Sequence, residues 1–274
     1  METKKPEVKK SKDPLEEALA TIKKKFGSGA VTKLESDDYP KIESIPTGIP
    51  ALDEALGIGG IPKGRMIEIW GKESTGKSTL ALKIIAETQK QGDKVMMIDV
   101  EHTLDLEYAS RLGVNTKELY FSQPNSGEEA LQICETFIQS NKMALIVIDT
   151  VAALTPMAEL KDDVGMPQIA LQARLMSQSL RRLTAIIHKS NTTVLFLNQV
   201  RTDIMKKWGD KETAPGGLAL KFYASVRIHL KRLKLLKEHD LPVGLQIEAS
   251  IVKNKVAPPF RKAIFEIYFQ PKAS

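Results

Sequence analysis

From Arg65 onward, short apolar runs alternate with amphipathic segments, and this rhythm constrains the fold more than any other feature of the chain. Met66 to Trp70 is followed by Thr79 to Gln91, Val95 to Val100 by Leu106 to Leu112, and Leu119 to Ser122 by Glu128 to Ser140. The pattern continues through Ala144 to Ile148, Ile169 to Lys189 and Thr193 to Leu197. A run such as Ala144-Leu145-Ile146-Val147-Ile148 has no polar alternation, so it must be buried on both faces. That is the condition of a strand inside a mainly parallel sheet with helices on both sides. After Leu220 the helical segments drop out. Phe222 to Leu230, Leu245 to Val252 and Ala263 to Phe269 read as antiparallel additions joined by hairpins, with Lys231 to Pro242 as a charged connector. The 274 residues suffice for one main α/β domain.

Residues 1 to 12 are lysine-rich and contain almost nothing to bury, so they read as a flexible basic arm. A helix follows. Asp13 can cap it, Pro14 suits its first position, Glu16 completes a capping box, and Leu15, Leu19, Ile22 and Phe26 form one apolar stripe. That stripe must be covered by its own domain or by a neighbouring subunit. The single cysteine, Cys134, falls on the apolar face of a helix and reads as core, which excludes a disulfide framework and fits a reducing cytosol. The arm lacks the apolar stretch of a secretory signal, and no later run is long enough to span a membrane. A net charge of +6 permits an anionic partner such as nucleic acid without demanding one.

Gly71-Lys72-Glu73-Ser74-Thr75-Gly76-Lys77-Ser78 sits between a strand pattern and a helix pattern. Its glycines let backbone N–H groups turn inward around phosphates, its lysine reaches the terminal phosphates, and its hydroxyl serves Mg²⁺. The helix that follows turns its positive N-terminal end to the anion. The chain therefore reads as binding a nucleoside triphosphate with Mg²⁺. A second-strand acid to hold the metal is supplied by Asp149, at the end of the most apolar run. The water-orienting group is Glu101, just past the strand Val95 to Val100, with Asp99 as the competitor, which alternation places on the opposite side of the strand from its neighbouring residues. Gln199, ending a strand after Asn198, reads either as a sensor of the γ-phosphate or as a strand-end cap.

Val200 to Gly217 is long and poor in apolar pattern, and contains Arg201, Lys206, Lys207, Trp208 and the pair Gly216-Gly217. Cations interleaved with an aromatic suit a single strand of nucleic acid; a solvated lid over the nucleotide is the other reading. Arg174 to Arg182 forms a second basic segment on a helix, whose arginines either line the same surface or face water.

Taken in order, GKESTGKST, MIDVEHTLD, IVIDTVAALTP, ARLMSQSLRRL, NQVR, PGGLALKFYASVR and VKNKVAPPF resemble the bacterial RecA recombinase family over roughly Leu15 to Phe269. The resemblance implies a RecA-like ATPase core over 34–270, an arm and oligomerisation helix over 1–33, and a short tail over 271–274. It also implies a family role. Subunits polymerise on single-stranded DNA with ATP and Mg²⁺, pair it with a homologous duplex and exchange strands, in cytoplasmic repair that can include an SOS-type damage response.

Carried over position by position, the resemblance makes Gly71, Glu73, Ser74, Thr75, Gly76, Lys77, Ser78 and Thr79 the phosphate and Mg²⁺ loop, and Glu101 the catalytic glutamate. Asp105 and Tyr108 fall at adenine-contacting positions, Gln199 at the γ-phosphate sensor, and Lys253 and Lys255 at lysines that reach the ATP of an adjacent subunit in a filament or ring. Residues 161–169 and 200–217 become the two DNA loops, with Ile169 and Ile204 wedging between bases, and with Arg174, Ser177, Arg181, Arg201, Trp208, Gly216 and Gly217 on the DNA side. The chain departs from the family pattern at Lys161-Asp162-Asp163, at Met166-Pro167-Gln168 and at Leu218, and its sequence stops at Ser274 before the family's C-terminal domain. That shortening supports an alternative in which the chain joins or modulates the filament of a full-length recombinase without efficient exchange.

Overall fold

The period-two rule of strands sorts the apolar runs onto two faces of one sheet. In the computed structural model, which describes residues 13–31, 33, 42–161, 170–202, 212–213 and 216–269, Leu145 and Val147 enter one core while Ile146 and Ile148 enter another. Ile67 and Ile69, Val95 and Met97, and Leu195 and Leu197 join the first core; Met66, Met96, Ile98, Val194 and Phe196 join the second.

The elements in chain order are α1 (Pro14–Phe26), β1 (Ser44–Ile45), α2 (Pro50–Leu56), β2 (Ile61–Pro62), β3 (Met66–Gly71), α3 (Lys77–Lys90), β4 (Val95–Asp99), α4 (Leu106–Arg111), β5 (Tyr120–Ser122) and α5 (Gly127–Gln139). Then come β6 (Leu145–Asp149), a 3₁₀ turn (Val151–Ala153), α6 (Met157–Lys161), α7 (Leu171–Ser190), β7 (Thr193–Gln199), β8 (Arg201–Thr202), β9 (Glu212–Thr213), α8 (Ala219–Tyr223), β10 (Val226–Glu238), β11 (Leu241–Asn254) and β12 (Lys262–Tyr268). Eight strands form the sheet in the order β12-β11-β10-β3-β7-β6-β4-β5. From β10 through β5 all neighbours are parallel; β11 and β12 are antiparallel additions. The expected α/β architecture is the one observed.

α2 and α3 pack into the first core, α5, α7 and α8 into the second. Cys134 is fully buried in α5, where the oily surroundings push its thiol pKa up. No helix among the described residues is long and apolar enough to cross a membrane.

α1 belongs to a separate small unit that ends before Ile42. It starts as its sequence dictates: Asp13 Oδ1 accepts from the Leu15 N–H at 3.0 Å, and Pro14 occupies the first turn. None of its residues is buried, and Leu15 and Phe26 are 64% and 67% exposed.

Two expectations change. The strand expected from Phe222 begins at Val226, because 219–223 closes into α8, with Leu220 in the second core and the Lys253 ammonium donating to the carbonyls of Lys221 and Phe222 at 2.7 and 2.9 Å. The charged connector 231–242 is itself mostly strand. β10 and β11 pair as far as Glu238 opposite Leu241, and His239 and Asp240 make the two-residue turn with φ of 48° and 64°. Beyond Leu230 this hairpin has left β3 behind, so Lys231 to Leu235 are all exposed and carry no core alternation.

Candidate active site

β3 delivers Gly71 to the C-terminal edge of the parallel strands and α3 departs at Lys77, so the loop between them is a strand–loop–helix corner. Only glycine fits at its two ends. A Cβ on Gly71 would lie 2.4 Å from the Leu230 carbonyl oxygen, and one on Gly76, at φ 82°, would lie 2.7 Å from Ile267 Cδ1 and 2.9 Å from Ile247 Cδ1. Ser74 also turns through positive φ, at 55°. α3 has no side-chain cap, so its first N–H groups are left to the loop's concave side. Thr75 Oγ1 donates to the Lys72 carbonyl at 2.8 Å, holding the loop closed, while Glu73 is exposed.

Lys77 is buried, and its ammonium donates to the carbonyls of Gly71 at 3.2 Å and Lys72 at 2.8 Å. Burial pulls its pKa down, against the opposing fields of Asp149, Glu101 and Glu73. Ser78 Oγ donates to Asp149 Oδ2 at 2.7 Å, so hydroxyl and acid meet across the corner. Burial pushes the Asp149 carboxyl up to about 6, with Glu101 and Asp99 adding to the rise and Ser78 and Lys77 opposing it. Strand ends are tied around it: Val100 N–H donates to the Asp149 carbonyl at 2.7 Å, and Thr150 Oγ1 to the Leu197 carbonyl at 2.9 Å.

The two acids after β4 have different surroundings. Asp99 is 1% exposed and accepts from Leu104 N–H at 3.1 Å and Gln123 Nε2 at 3.2 Å, so it organises the loop. Glu101 is half-buried and accepts from Gln199 Nε2 at 2.7 Å, with its pKa raised by burial against the pull of Lys77. Gln199 therefore bonds to Glu101 across the end of β6, which lies between their strands. Thr79 Oγ1 lies 3.0 Å from the Tyr108 hydroxyl, and Asp105 caps α4 by accepting from Tyr108 N–H at 2.9 Å. This brings Gly71, Thr75, Gly76, Lys77, Ser78, Thr79, Glu101, Asp105, Tyr108, Asp149 and Gln199 to one edge of the sheet.

Lys253 and Lys255 are not brought there. Lys253 pairs in register with Arg227, itself level with Glu68 midway along β3, and Lys255 N–H bonds to the Ser225 carbonyl at the end away from the glycine loop. Burial lowers the Lys253 pKa, and Lys255 and Arg227 add to the shift. Arg174, Ser177 and Arg181 fall on one face of α7 by their spacing, with both arginines exposed; Arg182 is engaged by Glu135 at 2.8 Å. Arg201 begins the short β8, paired with Thr213 of β9, and Gly216 and Gly217 return at φ 80° and 75°. Ile169, Ile204 and Trp208 lie outside the described residues.

A buried polar row was missed by the sequence reading. Glu68, fully buried in β3, is bonded by Arg227 and accepts from Asn198 Nδ2 at 3.0 Å, and Trp70 stacks on His229 at 4.2 Å between ring centroids. The alternate face of β3 could have flagged it, because an acid two residues before a tryptophan breaks an otherwise apolar run.

A glycine corner between strand and helix, an acid at the end of the strand two places over, and between them a strand ending in Gln199 define an α/β protein of the P-loop nucleotide-binding class. The RecA N-terminal domain model matches residues 13–273. Protein RecA of Campylobacter lari is 54% identical over 256 residues, which cover 93% of this chain and 74% of the relative. Protein RecA of Helicobacter hepaticus is 53% identical over 261 residues, covering 95% and 76%. This chain belongs to the RecA family.

Proposed function

We propose that the chain is a single-stranded-DNA-dependent ATPase that assembles on DNA and promotes homologous pairing and strand exchange in cytoplasmic recombination and repair. The observation that carries this reading is the 2.7 Å bond from Gln199 to Glu101, because Gln199 is also the last residue before the segment 200–217. One amide thus stands between the acid that handles the attacking water and the segment assigned to DNA. An order–disorder switch needs that connection, and through it nucleotide and DNA favour the same state.

In this mechanism the loop from Gly71 to Thr79 cradles the phosphates with backbone N–H groups, and Lys77 leaves its two carbonyl partners for them. The residues fit a Mg²⁺ ion: Ser78 Oγ and Asp149 Oδ2 are hard oxygen ligands already 2.7 Å apart. When bound, that ion neutralises charge on the phosphates. Glu101 orients and deprotonates the water, Gln199 reads the γ-phosphate, and Asp105 and Tyr108 flank the base. Lys253 and Lys255, far from their own loop, serve the nucleotide of the adjacent copy. α1, with its uncovered stripe, serves as the oligomerisation helix of 1–33, followed by a core over 34–270 and a tail over 271–274. Arg174, Ser177, Arg181, Arg201, Gly216 and Gly217, with Ile169, Ile204 and Trp208, contact DNA.

The test is ATP hydrolysis by the purified chain with and without single-stranded DNA, followed by strand exchange on matched substrates. Stimulation and exchange are expected. Stimulation without exchange would leave an accessory to a full-length recombinase, and no stimulation would overturn the DNA reading.

Asp149 adds a pH signature. Its carboxyl, raised to about 6 by burial, must lose its proton to hold Mg²⁺. Mg²⁺-dependent ATP affinity should therefore be flat above that value and fall roughly tenfold per pH unit below it. Titrations between pH 5 and 8 on the wild type and Asp149→Asn, which should be weak and pH-flat in this range, check it.

A further inference from the structure

A side chain of α7 bonds directly to the backbone beside the nucleotide edge. Gln172, in its first turn, donates its amide Nε2 to the carbonyls of Val151 at 2.9 Å, Leu154 at 3.2 Å and Ala152 at 3.4 Å. Those carbonyls belong to the 3₁₀ turn that starts two residues after Asp149 and to its C-cap. Among the described residues Ala153 N–H donates to the Thr150 carbonyl, Leu154 N–H to Val151, and Thr155 N–H and Oγ1 to Ala153, so the Val151 oxygen has a backbone donor besides Gln172, whereas the Ala152 and Leu154 oxygens accept from Gln172. The same α7 turns receive the glycines that close segment 200–217. A Cβ on Gly216 would lie 2.9 Å from Val151 Cγ1 and 3.3 Å from Met176 Cγ, and one on Gly217 would lie 3.0 Å from Ala173 Cβ. Val151 is therefore held between Gln172 on one side and Gly216 on the other. The face of α7 that carries Arg174, Ser177 and Arg181 begins two residues after Gln172.

We infer that Gln172 is a positioning residue that transmits the state of the α7 DNA face to Asp149, an inference resting on the DNA-dependent ATPase reading. The chemistry is specific to a carboxamide or another N–H donor. The turn presents three carbonyl oxygens, and only a donor can gather them; a group of equal shape without N–H would fill the space and take the Gln172 donor away from the Ala152 oxygen and the buried Leu154 oxygen, while Val151 would keep Leu154 N–H. A displacement of α7 then moves the Val151–Leu154 turn. Through Thr150 and the strand end it shifts the carboxylate that faces Ser78. Nothing in the sequence marks this role, because the partners of the Gln172 amide among the described residues are backbone carbonyls.

The experiment compares the full wild-type chain with Gln172→Met, which keeps volume without donors, and Gln172→Lys, which restores N–H donors. For each, the ratio of ATP hydrolysis with and without oligo-dT, the KM for ATP and the thermal midpoint are measured. Gln172→Met should lower the DNA stimulation ratio about tenfold while KM moves less than about twofold and the midpoint is little changed; Gln172→Lys should recover much of the ratio. A wild-type ratio in Gln172→Met would overturn the inference. So would a loss that came with weakened ATP binding and a lowered midpoint, since that pattern marks a merely structural amide. A wild-type chain with no DNA stimulation would bring down the ATPase reading first, and this inference with it.

Discussion

Lys77→Ala is expected to lower kcat/KM for ATP hydrolysis by about 10³-fold or more. The ammonium stands in the combined field of Asp149, Glu101 and Glu73, and burial makes each of those interactions stronger than it would be in water. Removing it takes away the cation that would meet the terminal phosphates and leaves the negative field in place, so the variant loses attraction and gains repulsion. Both ATP affinity and turnover should fall. Folding should be spared, because the side chain's own bonds are to two loop carbonyls, Gly71 and Lys72, at the edge of the sheet. Steady-state hydrolysis, nucleotide titration and a melting curve separate these effects; near-normal hydrolysis would remove the loop from the mechanism.

Glu101→Gln should behave differently. Its carboxylate is the acceptor for Gln199 Nε2 and is kept basic by burial, two conditions suited to a group that takes a proton from water. The amide keeps the shape and loses that capacity, so kcat should fall by about 10²- to 10⁴-fold while ATP affinity stays close to normal. If hydrolysis times release, as the proposed switch requires, complexes of this variant with ATP and single-stranded DNA should also persist longer than those of the wild type. A rate within a few-fold of normal, or loss of ATP binding in step with turnover, would transfer the role elsewhere. Asp99→Asn is the useful contrast: Asp99 is buried and bonded to Leu104 N–H and Gln123, so its replacement should act on stability.

What the sequence disclosed and what it hid divide along physical lines. The parallel strands were legible because Leu145 to Ile148 must be buried on both faces, and Asp149 was legible because an acid at the end of such a run has few structural reasons to be there. The loop from Gly71 to Ser78 could be read because its glycines are fixed by space: Gly71 passes the β10 backbone and Gly76 passes Ile247 and Ile267. The far half of the β10–β11 hairpin could not, since its β10 arm extends past β3 and leaves Lys231 to Leu235 exposed; its charges look like a loop although its backbone is paired. Nor could α8, which is held by Lys253, 31 and 32 residues further along the chain from the carbonyls it bonds. Position alone favoured Glu101 over Asp99; the structure adds that Asp99 accepts from Leu104 N–H and Gln123, and Glu101 from Gln199. Lys253 and Lys255 came only from family resemblance. Lys253 is level with Glu68, midway along β3, with its ammonium on the carbonyls of Lys221 and Phe222, and Lys255 bonds to Ser225 at the end away from the glycine loop.

The central proposal is therefore one of assembly, in which the loop would be half a site and a second copy would supply the other half. Mixing Lys77→Ala with a Lys253→Ala/Lys255→Ala double variant tests it most directly. Each alone should be nearly inactive on single-stranded DNA. In an equal mixture, random head-to-tail neighbours would pair an intact loop with intact lysines at about a quarter of the junctions, and hydrolysis should recover toward that fraction of wild type. A mixture no more active than its components, or a double variant fully active alone, would contradict a shared site.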